Sequence, residues 1–232
     1  MKRILLAVAT VAALVGGGAL AMQMSDAPQA EAAPSPQRII IGLDLSRSNP
    51  LIADPAFAAK VADRIAGIVS SLGFASEVHV RTFGNYDATS NTFAYDTVLS
   101  VRDRPENVAA EIRKLIAGTP YLVKNGKWQA QNNTNILAFL DNLSQSIGCA
   151  GMPTTIVLAS DGIEDSDYAR LTRRGAHLPP PDGRPFQGCA AFEILGLGQG
   201  ADSPRLTSYL RSEWGRWALA AGFARFQGLN DW

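Results

Sequence analysis

Asp44, Ser46 and Ser48 place one carboxylate and two hydroxyls at every second residue of the stretch Asp44-Leu45-Ser46-Arg47-Ser48. Far downstream, Thr134 stands just before a helical pattern, and Asp161-Gly162 closes an apolar run. Alternate loop positions can turn three oxygens inward. Two further oxygens from neighbouring loops would complete a shell for a hard divalent cation such as Mg²⁺, which takes oxygen ligands in an octahedron and keeps several waters. Neutral hydroxyls with one or two carboxylates leave such an ion under-neutralised, so it draws one more anionic ligand from outside. Mn²⁺ and Ca²⁺ accept oxygen shells too. Each residue also has an ordinary use. Asp44 and Asp161 suit strand-end caps, and Asp165 and Asp167 either assist the ion or form a solvated acidic turn. Arg170, Arg173, Arg174 and Arg184 follow Asp161. They either flank the cation and steer an acidic ligand or form a solvated basic loop.

The elements that must carry these residues can be read from hydrophobic periodicity. Ile39, Ile40, Ile41 and Leu43 form a buried strand ending at Asp44. Asp54-Pro55 caps and opens a helix with Phe57, Val61, Ile65, Ile68 and Leu72 on one face and Gly73 behind it. Residues 77–83 alternate as a second strand, and 93–101 follow closely enough to be its antiparallel hairpin partner. Pro105 starts a helix striped by Val108, Ile112, Leu115 and Ile116 and ended by Gly118. Residues 119–133 read as a polar loop holding Trp128. Thr134 or Asn135 caps the next helix, striped by Ile136, Leu140, Leu143 and Ile147. Residues 154–159 form a strand that ends beside Asp161. The long stretch 162–189 contains a short helical pattern near 168–173 and a run of prolines; loops of this length are usually functional or disordered. A strand over 192–197, a helix from Ser203-Pro204 presenting Leu206, Leu210, Trp214 and Trp217, and a short strand over 223–229 complete the chain. Strands alternating with helices predict an α/β sandwich, mostly parallel with one antiparallel strand and helices on both faces. Ligands of such sheets bind outside the carboxyl ends of the strands, where the five oxygen-bearing residues would gather.

Composition bounds the function. The chain has 232 residues, 47% hydrophobic and 18% charged, with Lys plus Arg equal to Asp plus Glu at 21 each. No net field recruits nucleic acid or an anionic membrane. Lys2 and Arg3 precede an uncharged apolar run from Ile4 to Met22, with small-x-small sites at Ala19-Leu20-Ala21 and Ala30-Glu31-Ala32. Residues 1–32 read as a secretory signal peptide; the alternative is an uncleaved N-terminal anchor, the only route to a membrane. Residues 33–37 end a flexible Ala-, Pro- and Gln-rich tether, and 38–232 form the domain. The chain is expected to be exported, periplasmic or secreted. In that compartment the two cysteines, Cys149 and Cys189, suit one disulfide. Free buried thiols are the alternative.

Asp-Leu-Ser-Arg-Ser after an apolar strand resembles the Asp-x-Ser-x-Ser motif of the von Willebrand factor type A (vWA) family, on which its metal-ion-dependent adhesion site is founded. The family's later Thr matches Thr134, and its later Asp-Gly matches Asp161-Gly162. The resemblance covers 38 to about 228 and implies a Rossmann-like three-layer fold. It implies that Ser46, Ser48 and Thr134 contact the ion through hydroxyls, that Asp44 and Asp161 act through waters and hydrogen bonds, and that a ligand's Glu or Asp fills the open position. One departure is that Asn132 and Asn133 precede Thr134 and Asn135 follows it, where the family often has Gly before and Asp after; this lowers local negative charge.

The function expected is therefore a non-enzymatic exported module that grips an exposed Asp or Glu of a protein partner through Mg²⁺. A hydrolase is the first competitor. Ser46 occupies the place where an aspartyl phosphatase wants a second carboxylate, and no Gly-x-Ser-x-Gly elbow is present. A scaffold with a vestigial metal site is the second. Of the remaining residues, His79 reads as structural and His177 as exposed. Trp128 reads as either a rim anchor or a core cover, and Trp214 and Trp217 as packing residues.

Overall fold

In the computed structural model, residues 34–85, 93–201 and 203–232 are described. The expected signal segment therefore lies outside the described residues. Six strands form one sheet: β1 (Arg38–Asp44), β2 (Glu77–Phe83), β3 (Ala94–Val98), β4 (Thr154–Ala159), β5 (Ala191–Leu195) and β6 (Phe226–Leu229). Their order is β3-β2-β1-β4-β5-β6, and all pairs are parallel except β2 with β3. This is the mostly parallel sheet with one antiparallel strand expected from the sequence. Order reverses between β2 and β4, on either side of β1. A crevice opens at such a switch point, outside the strand ends.

Helices cover both faces. On one face Ile39, Ile41 and Leu43 of β1 pack against α2 (Pro55–Ser70) and α3 (Pro105–Ala117) through Val61, Ile65, Ile112 and Ile116. On the other, Ile40, Ile156, Leu158 and Ile194 meet α5 (Ile136–Ser146) and α6 (Pro204–Ala221) through Leu140, Leu210 and Trp214. Both faces of β1 are therefore apolar, as parallel strands under two helical layers must be. Gly42 lets α5 approach: a Cβ there would lie 2.7 Å from the Phe139 ring.

Two expectations need correction. The polar loop over 119–133 contains a short helix, α4 (Thr119–Lys124). Gly118 ends α3 as expected, but at φ −81° it is right-handed, so the new helix begins at once. A one-turn helix, α1 (Pro50–Ala53), also precedes α2. The helical pattern near 168–173 is no helix. Ser166 N–H donates to Ala169 O and Leu171 N–H to Glu164 O, folding the segment into a small hairpin-like excursion. Gln37, just before β1, already bonds the domain: its N–H donates to Ser76 Oγ and its carbonyl accepts the Glu77 N–H.

Cys149 and Cys189 form a disulfide, with Cα atoms 5.2 Å apart. They sit before β4 and β5, which are neighbours in the sheet. Trp128 rests on Phe93 at the edge of the first core, which makes it a core cover. His79 pairs with Asp96 and Glu77 on the sheet's polar face. Among the described residues no helix is long and apolar enough to cross a membrane.

Candidate metal centre

Asp44 is the last residue of β1 and is wholly buried. Its Oδ1 accepts the Ser46 N–H at 2.8 Å, an Asx-type turn that swings the loop back over the strand end. Its Oδ2 accepts the Ser160 hydroxyl at 2.7 Å. Asn49 then clips the loop down: its Nδ2 donates to Asp44 O and Ala159 O, joining the ends of β1 and β4, while its Oδ1 caps α1 at Leu51 N–H.

Backbone bridges lace this loop to the other two. Ser46 pairs with Gln131 in parallel: Arg47 N–H donates to Gln131 O, and Gln131 N–H to Leu45 O. Three residues on, Thr134 pairs with Asp165 in the third loop through bonds of 2.9 and 3.3 Å. Asp161, 1% exposed, takes the Ile163 N–H on its Oδ1 at 2.8 Å, and Ser48 bonds its carboxyl. Gly162 follows at φ +73°, and a Cβ there would strike Leu197 at 2.4 Å, so glycine is required at this turn. Trp214 Nε1 donates to Gly162 O at 2.7 Å, fastening α6 under the same loop.

All five predicted residues thus lie at the carboxyl edge of the sheet, on three loops stitched to one another. Asp44, Ser46, Thr134 and Asp161 are buried, and Ser48 is exposed. The charge of Asp44 reaches Asp161. Burial raises Asp44 to about 6, against the hydrogen bonds from Ser160 and Ser46. Burial and then the charge of Asp44 raise Asp161 to about 7, against Ile163 N–H and Ser48.

The sequence reading passed over three residues that hold this arrangement. Glu164, wholly buried, accepts the N–H groups of Ile136 and Leu137 at the start of α5 at 2.8 and 3.2 Å, and its other oxygen takes the Ser166 hydroxyl. It ties the Asp161 loop to the helix behind Thr134, beside the cap that Asn135 supplies to Ala138 N–H. Burial lifts it to about 7 against those three donors. Ser160 links Asp44 to Gly162 N–H, and Asn49 joins two strand ends.

The residues fit a hydroxyl-rich cation site on one observation above all: the Ser46 hydroxyl is buried beside the Asp44 carboxyl yet makes no well-formed hydrogen bond to it or to any other group. A buried unpaired hydroxyl costs about 1–3 kcal/mol and lies here at the turn around Asp44. No cation is among the groups acting on Asp44, Asp161 or Glu164 in the described residues. Among those residues no three His, Cys, Asp or Glu side chains form a metal-holding group by themselves. The candidate set draws on hydroxyls instead. Arg170 pairs loosely with Asp165 at 3.5 Å. His177, 65% exposed in its side chain, lies 3.0 Å from Glu213, far along α6.

No family model matches the chain, and no curated protein does. Solved structures do. The pilus adhesin SpaC of Lactobacillus rhamnosus GG, in its open conformation, is 10% identical with a TM-score of 0.42 over 86% of this chain and 29% of its own. The ArnB paralog VWA2 of Sulfolobus acidocaldarius is 14% identical, with a TM-score of 0.44 over 86% of this chain and 43% of its own. A human COPII-coat protein is 11% identical, with a TM-score of 0.39 over 86% and 30%. The chain spans less than half the length of each of these three.

Proposed function

We propose that this chain is an exported vWA-like binding module in which Ser46, Ser48 and Thr134, backed by Asp44 and Asp161, hold a divalent cation, Mg²⁺ foremost, for capture of an acidic group on a protein partner. The observation that carries the reading is the buried Ser46 hydroxyl, without a well-formed hydrogen bond, beside two buried carboxyls that no protein cation neutralises. When bound, the cation supplies an electrophilic position open to an outside carboxylate. The chain's own work is positional. Asp44 fixes the Ser46 turn, Ser48 meets Asp161, and the Thr134–Asp165 bridge brings the second loop to the third. Asn135, where the family often has Asp, keeps one negative charge out of the surroundings, so the cation retains more of its own. The reading assigns no catalytic residue; both histidines are engaged with carboxylates.

Calorimetry with MgCl₂ tests it. Saturable heat is expected from the wild type and none from Asp44→Ala, whose circular dichroism should remain that of a folded protein. A melting temperature indifferent to both Mg²⁺ and EDTA would leave only a scaffold.

A further inference from the structure

Two of the four arginines in the 162–189 stretch, Arg170 and Arg173, line a cleft of their own. Ser166, Asp167, Arg170, Arg173 and Ala176 line an open depression of about 400 Å³ in the stretch after Asp161. It is tied to the candidate metal centre by a short ladder: Thr134 bridges Asp165, and Asp165 bridges Arg170. Three backbones side by side put Arg170 two strand spacings, about 10 Å, from Thr134. The charges in the cleft are unequally satisfied. Arg170 and Asp165 are both about half exposed and 3.5 Å apart, a loose pair that leaves guanidinium donors free. Arg173 has no side-chain partner among the described residues, nor has the exposed Arg47 between Ser46 and Ser48. Asp167 opposes them from within the same cleft.

We infer that the partner is gripped at two points: one of its carboxylates goes to the cation, and a second, further along the same extended segment, goes to Arg170 and Arg173. Guanidinium groups pair with carboxylates through paired N–H donors. An extended peptide rises about 3.3 Å per residue, so a span of about 10 Å corresponds to acids roughly three residues apart. This inference rests on the metal reading, and it narrows the partner to a doubly acidic segment.

The test uses the full chain and capped glycine peptides, one with a single Glu and one with a second Glu three residues on, titrated at low salt in Mg²⁺. Exposed ion pairs are worth up to about 1 kcal/mol, or about five-fold. The doubly acidic peptide should bind about three- to five-fold more tightly than the single one. Arg173→Ala should abolish that advantage and Asp167→Asn should enlarge it. Both variants should leave the heat of MgCl₂ alone unchanged. Opposite signs from two neighbouring substitutions are not what general loop damage produces. Mg²⁺ heat with equal binding of the two peptides, or with binding of neither, overturns the cleft and leaves the metal centre standing. Survival of the advantage in Arg173→Ala does the same. Absence of Mg²⁺ heat overturns both.

Discussion

Two of the places where this molecule buries acids treat them in opposite ways. Glu213, on α6, is buried, yet it is met by Arg216 Nη2 at 2.6 Å, by His177 at 3.0 Å and by the Leu178 N–H at 3.0 Å. Burial pushes its carboxyl up, but these partners outweigh burial and hold it below the ordinary value. It works as a rivet, pinning the long 162–189 segment to the helix. Asp44 and Asp161 are more deeply buried but are met only by hydroxyls and N–H groups; burial raises both, and the charge of Asp44 adds to the cost of ionising Asp161. Satisfied buried charge is structure; unsatisfied buried charge at a strand edge is capacity for something else.

The largest expected effect sets the two regions in opposition through pH. A carboxyl whose folded pKa lies above its unfolded value binds its proton more tightly when folded. Its contribution to stability is whole below about 3.8 and is lost as pH climbs through about 6 for Asp44 and about 7 for Asp161. Without divalent cation, the melting temperature should therefore fall between pH 4 and pH 7.5. Mg²⁺ should restore it at pH 7.5 and do little at pH 5, where both acids hold protons. Asp161→Asn removes a buried charge and, with it, the repulsion from Asp44. At pH 7.5 in EDTA it should stabilise by about 3 kcal/mol, a rise in melting temperature of roughly 10 °C for a domain of this size, while losing the response to Mg²⁺. Thermal scans across pH in EDTA and in Mg²⁺ measure all of this. A flat wild-type profile would mean that the two carboxyls are not buried as the structure has them.

Glu164 stands between the two kinds of acid, buried like Asp44 but accepting two helix N–H groups. Glu164→Ala orphans both donors and opens a cavity, at a cost of about 2–4 kcal/mol. Glu164→Gln keeps an acceptor of the same shape and should recover most of that loss. Chemical denaturation of the three proteins at pH 7.5 gives the comparison. Equal losses in the two variants would show that the charge, rather than the acceptor, holds the loops.

How much of this could be read from the residues follows from which forces are local. The β1 run, the Asp54-Pro55 cap and the stripe of α2 are set by neighbours along the chain, and they appear where the pattern puts them. Asp44, Ser46 and Ser48 share one loop, so their spacing alone announces them. Glu164 and Ser160 announce nothing, because what makes them matter is a helix start 28 residues back in one case and a strand end 116 residues back in the other. The same holds for 168–173, where local propensity favours a helix but Glu164 O and the Asp165–Arg170 bridge take the backbone groups first. Gly118 ends α3 as the pattern has it, but its right-handed φ lets α4 start at the next residue, which no hydrophobic stripe in 119–133 announces.

The smallest effect belongs to the rivet. Glu213→Gln keeps the acceptor for Leu178 N–H and loses the charge that Arg216 and His177 meet. Those two partners are half exposed or more, so solvent screens the pairing and the loss should be only about 1 kcal/mol. Its sign with pH is the reverse of the sheet-edge pair. A carboxyl held below its ordinary 4.5 contributes stability above that pH and loses it as pH falls through the folded value. The substitution should therefore flatten the acid limb of the melting profile below pH 4.5 and leave the Mg²⁺ response at pH 7.5 untouched. If Glu213→Gln altered the Mg²⁺ response, the long segment would be coupled to the candidate metal centre through Leu178, and the two regions would have to be treated as one.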